Sequence, residues 1–187
     1  FVTSAILMRR AFLDVSVLFN NNDGQTVSLG DDIDVSVAWR NNIPTAIRNA
    51  VLEVKLEGGA IDRSSIFVDK GFYRGSDNTL VWNVSTLDDF SVIDPGKEGL
   101  ARFRFSLVNS LPSQTVKDTN LTVVISAVMY VENPPAGFEN FDVKGQDVKE
   151  IKVASKLQFA SRALYYAGPF LNSGPLPPKV GQETSYT

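Results

Sequence analysis

The sequence predicts an all-β protein, an antiparallel immunoglobulin-like β-sandwich with seven or more strands, flanked by partial neighbouring units. Three observations predict this class. Apolar and polar residues alternate with a period of two in many short segments, turns rich in Gly, Pro, Asn and Asp separate those segments, and helical periodicity is weak throughout. Strands with one apolar and one polar face are typical of antiparallel sheets, because parallel sheets are buried on both faces. Many short strands of this kind indicate two packed sheets.

The alternation is clearest where Ile33, Val35, Val37 and Trp39 share one face of a strand. Trp82 also falls on an inward face, and we interpret both tryptophans as core anchors rather than as a carbohydrate-stacking surface. Only 60–66 and 86–91 could form a short helical turn. Strands are predicted over 13–19, 33–39, 50–57, 79–84, 101–107, 121–131 and 151–159, with turns at 20–24, 57–59, 75–78, 94–96 and 133–135.

The composition excludes several classes of site. The chain of 187 residues is 43% hydrophobic, which is enough for a core without a metal or a crosslink. It contains no His and no Cys, so Ser-His-Asp and Cys-His catalysis, imidazole or thiolate zinc sites, His or Cys haem ligation, iron–sulfur clusters and disulfides are excluded within it. No carboxylate pair suggests glycoside hydrolysis either. We therefore predict no enzyme, no catalytic residue, no cofactor-binding residue and no metal ligand.

The charge balance argues against a nucleic-acid partner. The 18 Lys and Arg residues against 21 Asp and Glu give a net charge of −3, without the basic surplus that such binders carry. No apolar run approaches the ~18 residues of a membrane span. The chain begins at Phe1 without the charge order of a signal peptide, and we expect a processed product or a fragment.

Weak internal similarity suggests a repeat of 151 or 152 residues. Residues 179–187 read like 28–36, at a shift of 151, with Gly181 in the place of Gly30. Two further matches have nearly the same spacing: 10–13 with 162–165, and Val2 and Ser4 with Val153 and Ser155. Coincidence between similar strands is the alternative.

The repeat predicts how the chain is divided. We expect residues 1–10 to be the terminal strand of a preceding unit or an exchanged strand, 11–162 to be the immunoglobulin-like sandwich, and 163–187 to be a Pro/Gly-rich seam and the start of a following unit. Pro-rich segments are extended and semi-rigid, which suits a junction, although a simple exposed loop is the alternative. Incomplete units leave strand edges that can pair with another chain.

Four segments resemble a family of bacterial surface domains. They are 29–37 (LGDDIDVSV), the pair Asn41 and Asn42, 79–87 (TLVWNVSTL) and 94–105 (DPGKEGLARFRF). In this order they resemble the DUF11-like, or conserved repeat, domains of large cell-surface proteins, and 173–187 looks like the inter-repeat seams of such proteins in candidate-phyla bacteria. Ser85 stands where the family usually has Gly, and 109–160 extends the usual module. The resemblance implies a tandem array on a cell envelope and no active-site motif.

Other constellations have ordinary explanations. Asp31, Asp32 and Asp34, and likewise Asp88 and Asp89, are interpreted as solvated turn and strand positions rather than as calcium ligands. Lys55, Lys152 and Lys156 are predicted to point outward, which argues against an isopeptide bond. The sequons at Asn83 and Asn120 are a weak signal for glycosylation.

We therefore expect a structural, non-enzymatic repeat of an extracellular, cell-surface array, stalk or filament. Its expected partners are neighbouring copies, with which it can exchange strands, and, as a further partner, a surface ligand. The alternative is an adhesin or a carbohydrate- or protein-binding β-sandwich module. An exposed aromatic patch would favour that alternative, and a buried one would favour a linker. The candidate residues are Phe138, Phe141, Tyr165, Tyr166 and Phe170.

Overall fold

The protein is an all-β sandwich, as predicted. A computed structural model describes residues 11–19, 26–110, 121–154 and 173–185. The chain divides into two compact units, Phe1–Ser155 and Lys156–Thr187. The described part of the first unit holds twelve strands: β1 (Leu13–Phe19), β2 (Thr26–Ser28), β3 (Asp32–Asn41), β4 (Ile47–Arg48), β5 (Ala50–Glu57), β6 (Ile61–Val68), β7 (Phe72–Arg74), β8 (Thr79–Trp82), β9 (Val92–Ile93), β10 (Glu98–Leu107), β11 (Thr122–Val131) and β12 (Lys144–Ala154).

The strands form two main sheets. The first has the order β1-β3-β10-β6 and the second the order β2-β12-β11-β5-β8-β7, with a separate small pair β4-β9. All pairings are antiparallel except that of β2 with β12, which is parallel. The orders β1-β3-β10-β6 and β12-β11-β5 match the ABED and GFC sheets of an immunoglobulin constant-type domain. The hairpin β7-β8 is an addition beside β5, and β2 is an addition beside β12.

The core lies between the two sheets and contains the inward residues of both. In β11 the burial alternates strictly along the strand, because every second side chain points to the core. Trp82 from the second sheet lies 6.2 Å from Phe103 of the first, centroid to centroid. Trp82 is fully buried and Trp39 is 3% exposed, so the prediction that both are core anchors is confirmed.

Three predicted elements differ from the structure. The segment 60–66 is not helical, because β6 pairs with β10 over this part of the chain. The strand predicted at 79–84 ends at Trp82, and Val84 lies in the following turn. The strand predicted at 151–159 begins earlier, at Lys144, while Leu157 and Phe159 lie outside the described residues. The helical turn allowed at 86–91 is present as a 3₁₀ helix, Asp88–Phe90.

The edge strand β6 pairs irregularly with its neighbour β10. Its register with β10 shifts between Arg104 and Ser106, and the backbone N–H of Ser106 donates to Oγ of Ser65 (2.7 Å). The carboxylate of Asp62 accepts hydrogen bonds from the hydroxyl (2.6 Å) and backbone N–H (3.0 Å) of Ser64, and these bonds lower the pKa of Asp62. A bulge of this kind bends a strand and increases its twist.

On the opposite side, the edge strand β1 of the first sheet lies against β12 of the second. Gly145 approaches the backbone of Leu13 so closely that a Cβ at this position would overlap the Leu13 carbonyl. Two residues further along β12, Oδ2 of Asp147 accepts a hydrogen bond from the backbone N–H of Val17 (2.8 Å). The two sheets therefore meet along β1. Gly145 allows the close backbone approach, and Asp147 makes a hydrogen bond between the sheets.

Candidate functional site

The sandwich has two poles, defined by where its first described strand begins and its last described strand ends. At the N-terminal pole β1 begins, β3 ends and β12 begins, because Leu13 pairs with Asn41 and contacts Gly145. At the C-terminal pole β12 ends, with Ala154 paired to Ser28 just before the turn into β3. β12 has 11 residues, so at ~3.3 Å per residue the poles lie roughly 35 Å apart. The first described strand therefore begins at one pole, and the last described strand of the sandwich ends at the other.

An aromatic cluster lies at the N-terminal pole. The ring of Phe12 makes edge-to-face contacts with Phe138 and with Phe141, each at 5.6 Å between centroids, and the rings of Phe138 and Phe141 lie 6.0 Å apart. Asn42 holds Phe12 in place, since its backbone N–H donates to the Phe12 carbonyl (3.0 Å). Phe141 is 50% exposed, whereas Phe12 and Phe138 are less exposed. Of the predicted aromatic candidates, Tyr165, Tyr166 and Phe170 lie outside the described residues.

The same pole is organised by Asn41, a buried side chain at the end of β3. Its Nδ2 donates to the carbonyls of Thr45 (3.1 Å), Ile93 (2.9 Å) and Asp94 (3.3 Å). Its Oδ1 accepts from the backbone N–H of Ile43 (2.9 Å). One amide thus satisfies backbone groups of the loop after β3 and of the segment before β10, and it fixes the two to each other.

A turn at the C-terminal pole connects β2 to β3. The backbone N–H of Asp31 donates to the Ser28 carbonyl (3.1 Å), and Gly30 has a φ of 86°. Oδ2 of Asp31 accepts from the Ser28 N–H (2.8 Å). A four-residue turn with Gly at positive φ in its third position is typical of type II. The side chain of Leu29 packs against the core.

The same turn occurs in the second unit. The backbone N–H of Gln182 donates to the Lys179 carbonyl (3.1 Å), and Gly181 has a φ of 80°. Donor, acceptor and glycine are each displaced by 151 residues from those of the first turn. Val180, in the place of Leu29, is fully exposed. The ends of this segment are held together by Ser173 and Ser185, where the N–H of Ser185 donates to the Ser173 carbonyl (2.9 Å).

A shallow groove crosses the outer face of the first sheet. Its volume is ≈ 550 Å³, and its lining includes Asp14, Arg40, Glu98 and Leu100. Arg40 lies between Asp14 and Glu98 on neighbouring strands and pairs with Glu98 at 3.2 Å. The groove therefore presents a row of alternating charges rather than two facing carboxylates.

Three of the five aspartates in the acidic clusters make local side-chain contacts. Asp31 belongs to the turn at the C-terminal pole, Asp32 accepts a hydrogen bond from Ser106 (2.6 Å), and Asp89 pairs with Lys97 (2.7 Å). In the part of the chain that the structure describes, no three His, Cys, Asp or Glu residues are placed to hold a metal ion.

Two of the three lysines considered for an isopeptide bond point outward, as predicted. Lys55 is exposed and pairs with Glu57 (2.8 Å), and Lys152 is exposed on β12. Lys156 lies outside the described residues. An isopeptide bond would need a lysine amine beside a buried acid in the core, and both described amines point away from the core.

The sequon asparagine Asn83 has a structural role. Its Oδ1 accepts from the backbone N–H of Ser85 (2.9 Å), and its carbonyl accepts from the N–H groups of Thr86 (3.0 Å) and Leu87 (2.8 Å). Asn83 therefore stabilises the turn that follows β8, through its side chain and its carbonyl. The second sequon residue, Asn120, lies outside the described residues.

Comparison with known proteins gives only distant similarity. No protein-family profile matches the chain, and no curated protein matches it. The chain is similar to the CARDB domain of a Pyrococcus furiosus protein solved with di-metal ions (14% identity, 82% of this chain, 100% of that chain, TM-score 0.44). It is similar to the cohesin module of a Clostridium perfringens family 33 glycoside hydrolase (14%, 77% and 98%, 0.42). It is also similar to AvmM, which catalyses macrocyclization in alchivemycin A biosynthesis (9%, 81% and 94%, 0.47).

None of these similarities supports an inference about what this chain does, since every TM-score is below 0.5. The resemblance to DUF11-like domains stays a prediction, because no family profile matches. Within the described ranges, no helix is long and apolar enough to cross a bilayer.

Proposed function

We propose that this chain is a structural, non-enzymatic unit of a tandem array on a bacterial cell surface, such as a stalk or filament. The observation that supports it most is the passage of the chain from the N-terminal pole to the C-terminal pole of the sandwich. Units joined in this way follow one another end to end, and each adds roughly 35 Å of length at ~3.3 Å per strand residue. A domain whose two ends lie at the same pole would add little to the length of an array.

The recurring turn supports a following unit. In a second sandwich with this topology, Val180 would take the place of Leu29 and would be covered by that unit's own strands. The two segments that resemble each other in sequence, 28–36 and 179–187, thus also begin with the same turn. We therefore propose 163–187 as a seam and the start of a following unit. At the same shift residues 1–3 correspond to 152–154, the last residues of β12, so we propose that 1–10 contain the end of the terminal strand of a preceding unit.

A two-unit chain tests the array. Thr187 corresponds to Ser36 at the 151-residue shift, so residues 37–154 appended after Thr187 would complete a second sandwich. We expect the appended residues to fold, Val180 to become protected, and the largest dimension in solution scattering to increase by about one unit length, roughly 35 Å.

The control appends the same residues after Ser155, which removes the proposed start of the second unit. This chain is expected to fold its first unit only. If the appended residues fold equally well in both chains, or in neither, residues 163–187 do not begin a unit.

The surface location is tested separately, by labelling intact producing cells with antibodies against the sandwich. Label that appears only after lysis contradicts it.

The aromatic cluster at the N-terminal pole favours a second candidate, a binding module. Phe141 is half-exposed beside Phe12 and Phe138, and exposed aromatic groups of this kind mark interaction sites. If the cluster binds a glycan or a protein, Phe141→Ser should weaken binding by at least ~10-fold, about 1.4 kcal/mol, with little change in Tm. Phe67→Ser is the matched control, because Phe67 is similarly exposed on β6. Binding that both variants weaken equally, or neither, would remove the cluster from consideration.

A further inference from the structure

In the aromatic cluster of the N-terminal pole, the described residues cover Phe141 only in part. Phe138 and Phe141 lie in the loop between β11 and β12. Two turns shape this loop, because the Phe138 N–H donates to the Pro135 carbonyl (2.9 Å) and the Phe141 N–H to the Phe138 carbonyl (3.0 Å). The turns keep Phe141 against the ring of Phe12 with about half of its surface exposed. Such an exposed apolar surface is one that another group can cover.

The same loop is acidic. It contains Glu132, Glu139 and Asp142 and no Lys or Arg, and all three carboxylates are exposed. Asp142 pairs with Lys144 at the start of β12. Glu139 accepts a hydrogen bond from the Gly137 N–H (2.9 Å) and has no cationic partner among the described residues. Negative charge therefore borders the exposed ring, and a complementary group would be apolar with a positive charge beside it.

The chain carries such a group directly before the cluster. Residues 6–10, ILMRR, consist of three apolar residues followed by two arginines. They lie outside the described residues, and the described chain begins at Ala11, next to Phe12. The side chain of Asn42 holds the Ala11 carbonyl at this pole (3.1 Å). Met8 is three residues from Ala11, so at ~3.3–3.6 Å per residue it lies within about 11 Å of that anchor and can reach the cluster.

The pattern of this segment recurs at the other junction of the chain. In the shift of 152 residues that aligns Arg10 with Arg162, Phe159 takes the place of Leu7. A large apolar residue three positions before an arginine thus precedes both sandwich starts. Such a recurrence is expected if the segment has the same task at each junction.

We propose that residues 6–10 bind to the N-terminal pole of the sandwich, with the apolar residues 6–8 against Phe141 and the arginines beside Glu139. Bound in this way, the segment is a fixed joint rather than a free linker, and it sets the direction in which one unit follows another. The binding needs only this chain, whereas its role as a joint rests on the proposed tandem array.

Hydrogen exchange on the whole chain tests the binding. A bound segment shields the backbone of the loop between β11 and β12, so Leu7→Ser should make the amides of that loop exchange at least ~5-fold faster. Leu18→Ser is the matched control, because Leu18 is an exposed leucine (47%) near the far end of β1. It should leave exchange in the loop unchanged. The amides of β11 should stay protected in both variants, which shows that the sandwich remains folded.

A charge exchange tests the polar part of the contact. Glu139→Lys should make the loop exchange faster by a similar factor, because a lysine there repels the two arginines. This substitution also removes the acceptor of the Gly137 N–H, so the rescue is the decisive readout. Adding Arg9→Glu and Arg10→Glu to Glu139→Lys should restore the original exchange rate, which a purely local effect in the loop would not do.

The binding is overturned if Leu7→Ser and Leu18→Ser change exchange in the loop equally, if neither changes it, or if the charge exchange fails to restore it. The cluster is then left to an external glycan or protein, which the Phe141→Ser and Phe67→Ser pair tests. None of these results bears on the array, because the array is decided by folding of the two-unit chain and by labelling of intact cells.

Discussion

Replacing Trp82 by alanine is expected to destabilise the sandwich by about 3–5 kcal/mol, the cost of removing a large aromatic side chain from a packed core. Trp82 is fully buried on β8, where its ring contacts Phe103 of the facing sheet. Its Nε1 donates to the Asp69 carbonyl (2.8 Å), and Gly71 leaves room for the indole. Urea denaturation measures the effect as a lower midpoint with an unchanged slope.

Trp39 provides the comparison that separates packing from hydrogen bonding. It is also buried and lies 5.3 Å from the ring of Phe90, but its Nε1 has no hydrogen-bond partner among the described residues. Trp39→Phe therefore loses volume together with an N–H that has no hydrogen-bond partner among the described residues, whereas Trp82→Phe loses volume and the part-buried hydrogen bond to the Asp69 carbonyl. We expect Trp82→Phe to cost about 0.5–1.5 kcal/mol more than Trp39→Phe, the usual net contribution of one hydrogen bond. Equal costs would show that the bond to Asp69 contributes nothing to stability.

Asn41→Ala is expected to cost about 3 kcal/mol. The variant leaves the backbone N–H of Ile43 and the carbonyl of Ile93 without their partner in a buried site, and each unsatisfied group costs about 1–3 kcal/mol. Hydrogen exchange should show faster opening of the loop after β3 and of the start of β10, since the Asn41 side chain joins the two.

Asn42→Ala is the matched control for Asn41. Asn42 is the next residue and is only partly buried, and its side chain makes a single bond to the Ala11 carbonyl (3.1 Å). The loss expected for it is about 1 kcal/mol or less. If Asn41→Ala is no more destabilising than Asn42→Ala, the buried network does not fix this pole.

The strands with strict alternation were predictable from the sequence, and the less regular ones were not. β11 places an apolar residue at every inward position, so its period of two is visible. The first half of β12 instead has Gly145 and Asp147 at inward positions, because β1 lies directly against them. β8 is buried on both faces, so alternation could not define its end.

The candidate sites depend on tertiary contacts that a single sequence does not display. Phe138 and Phe141 were candidates from their type alone, but their partner Phe12 is more than 120 positions away in the chain. Asp147 contacts Val17 across the gap between the two sheets. The repeat of the Gly30 turn was visible in the sequence because a turn is a local structure whose glycine is required by its positive φ.

The bulge in β6 affects whether this protein aggregates when many copies are close together. A straight, regular edge strand offers a row of backbone donors and acceptors to any neighbour, and that is a common start of aggregation. The register shift at Ser106, together with the polar side chains of Asp62, Ser64 and Ser65, makes the β6 edge a poor template for a foreign strand. Many copies standing side by side at high local concentration would thus remain separate along this flank.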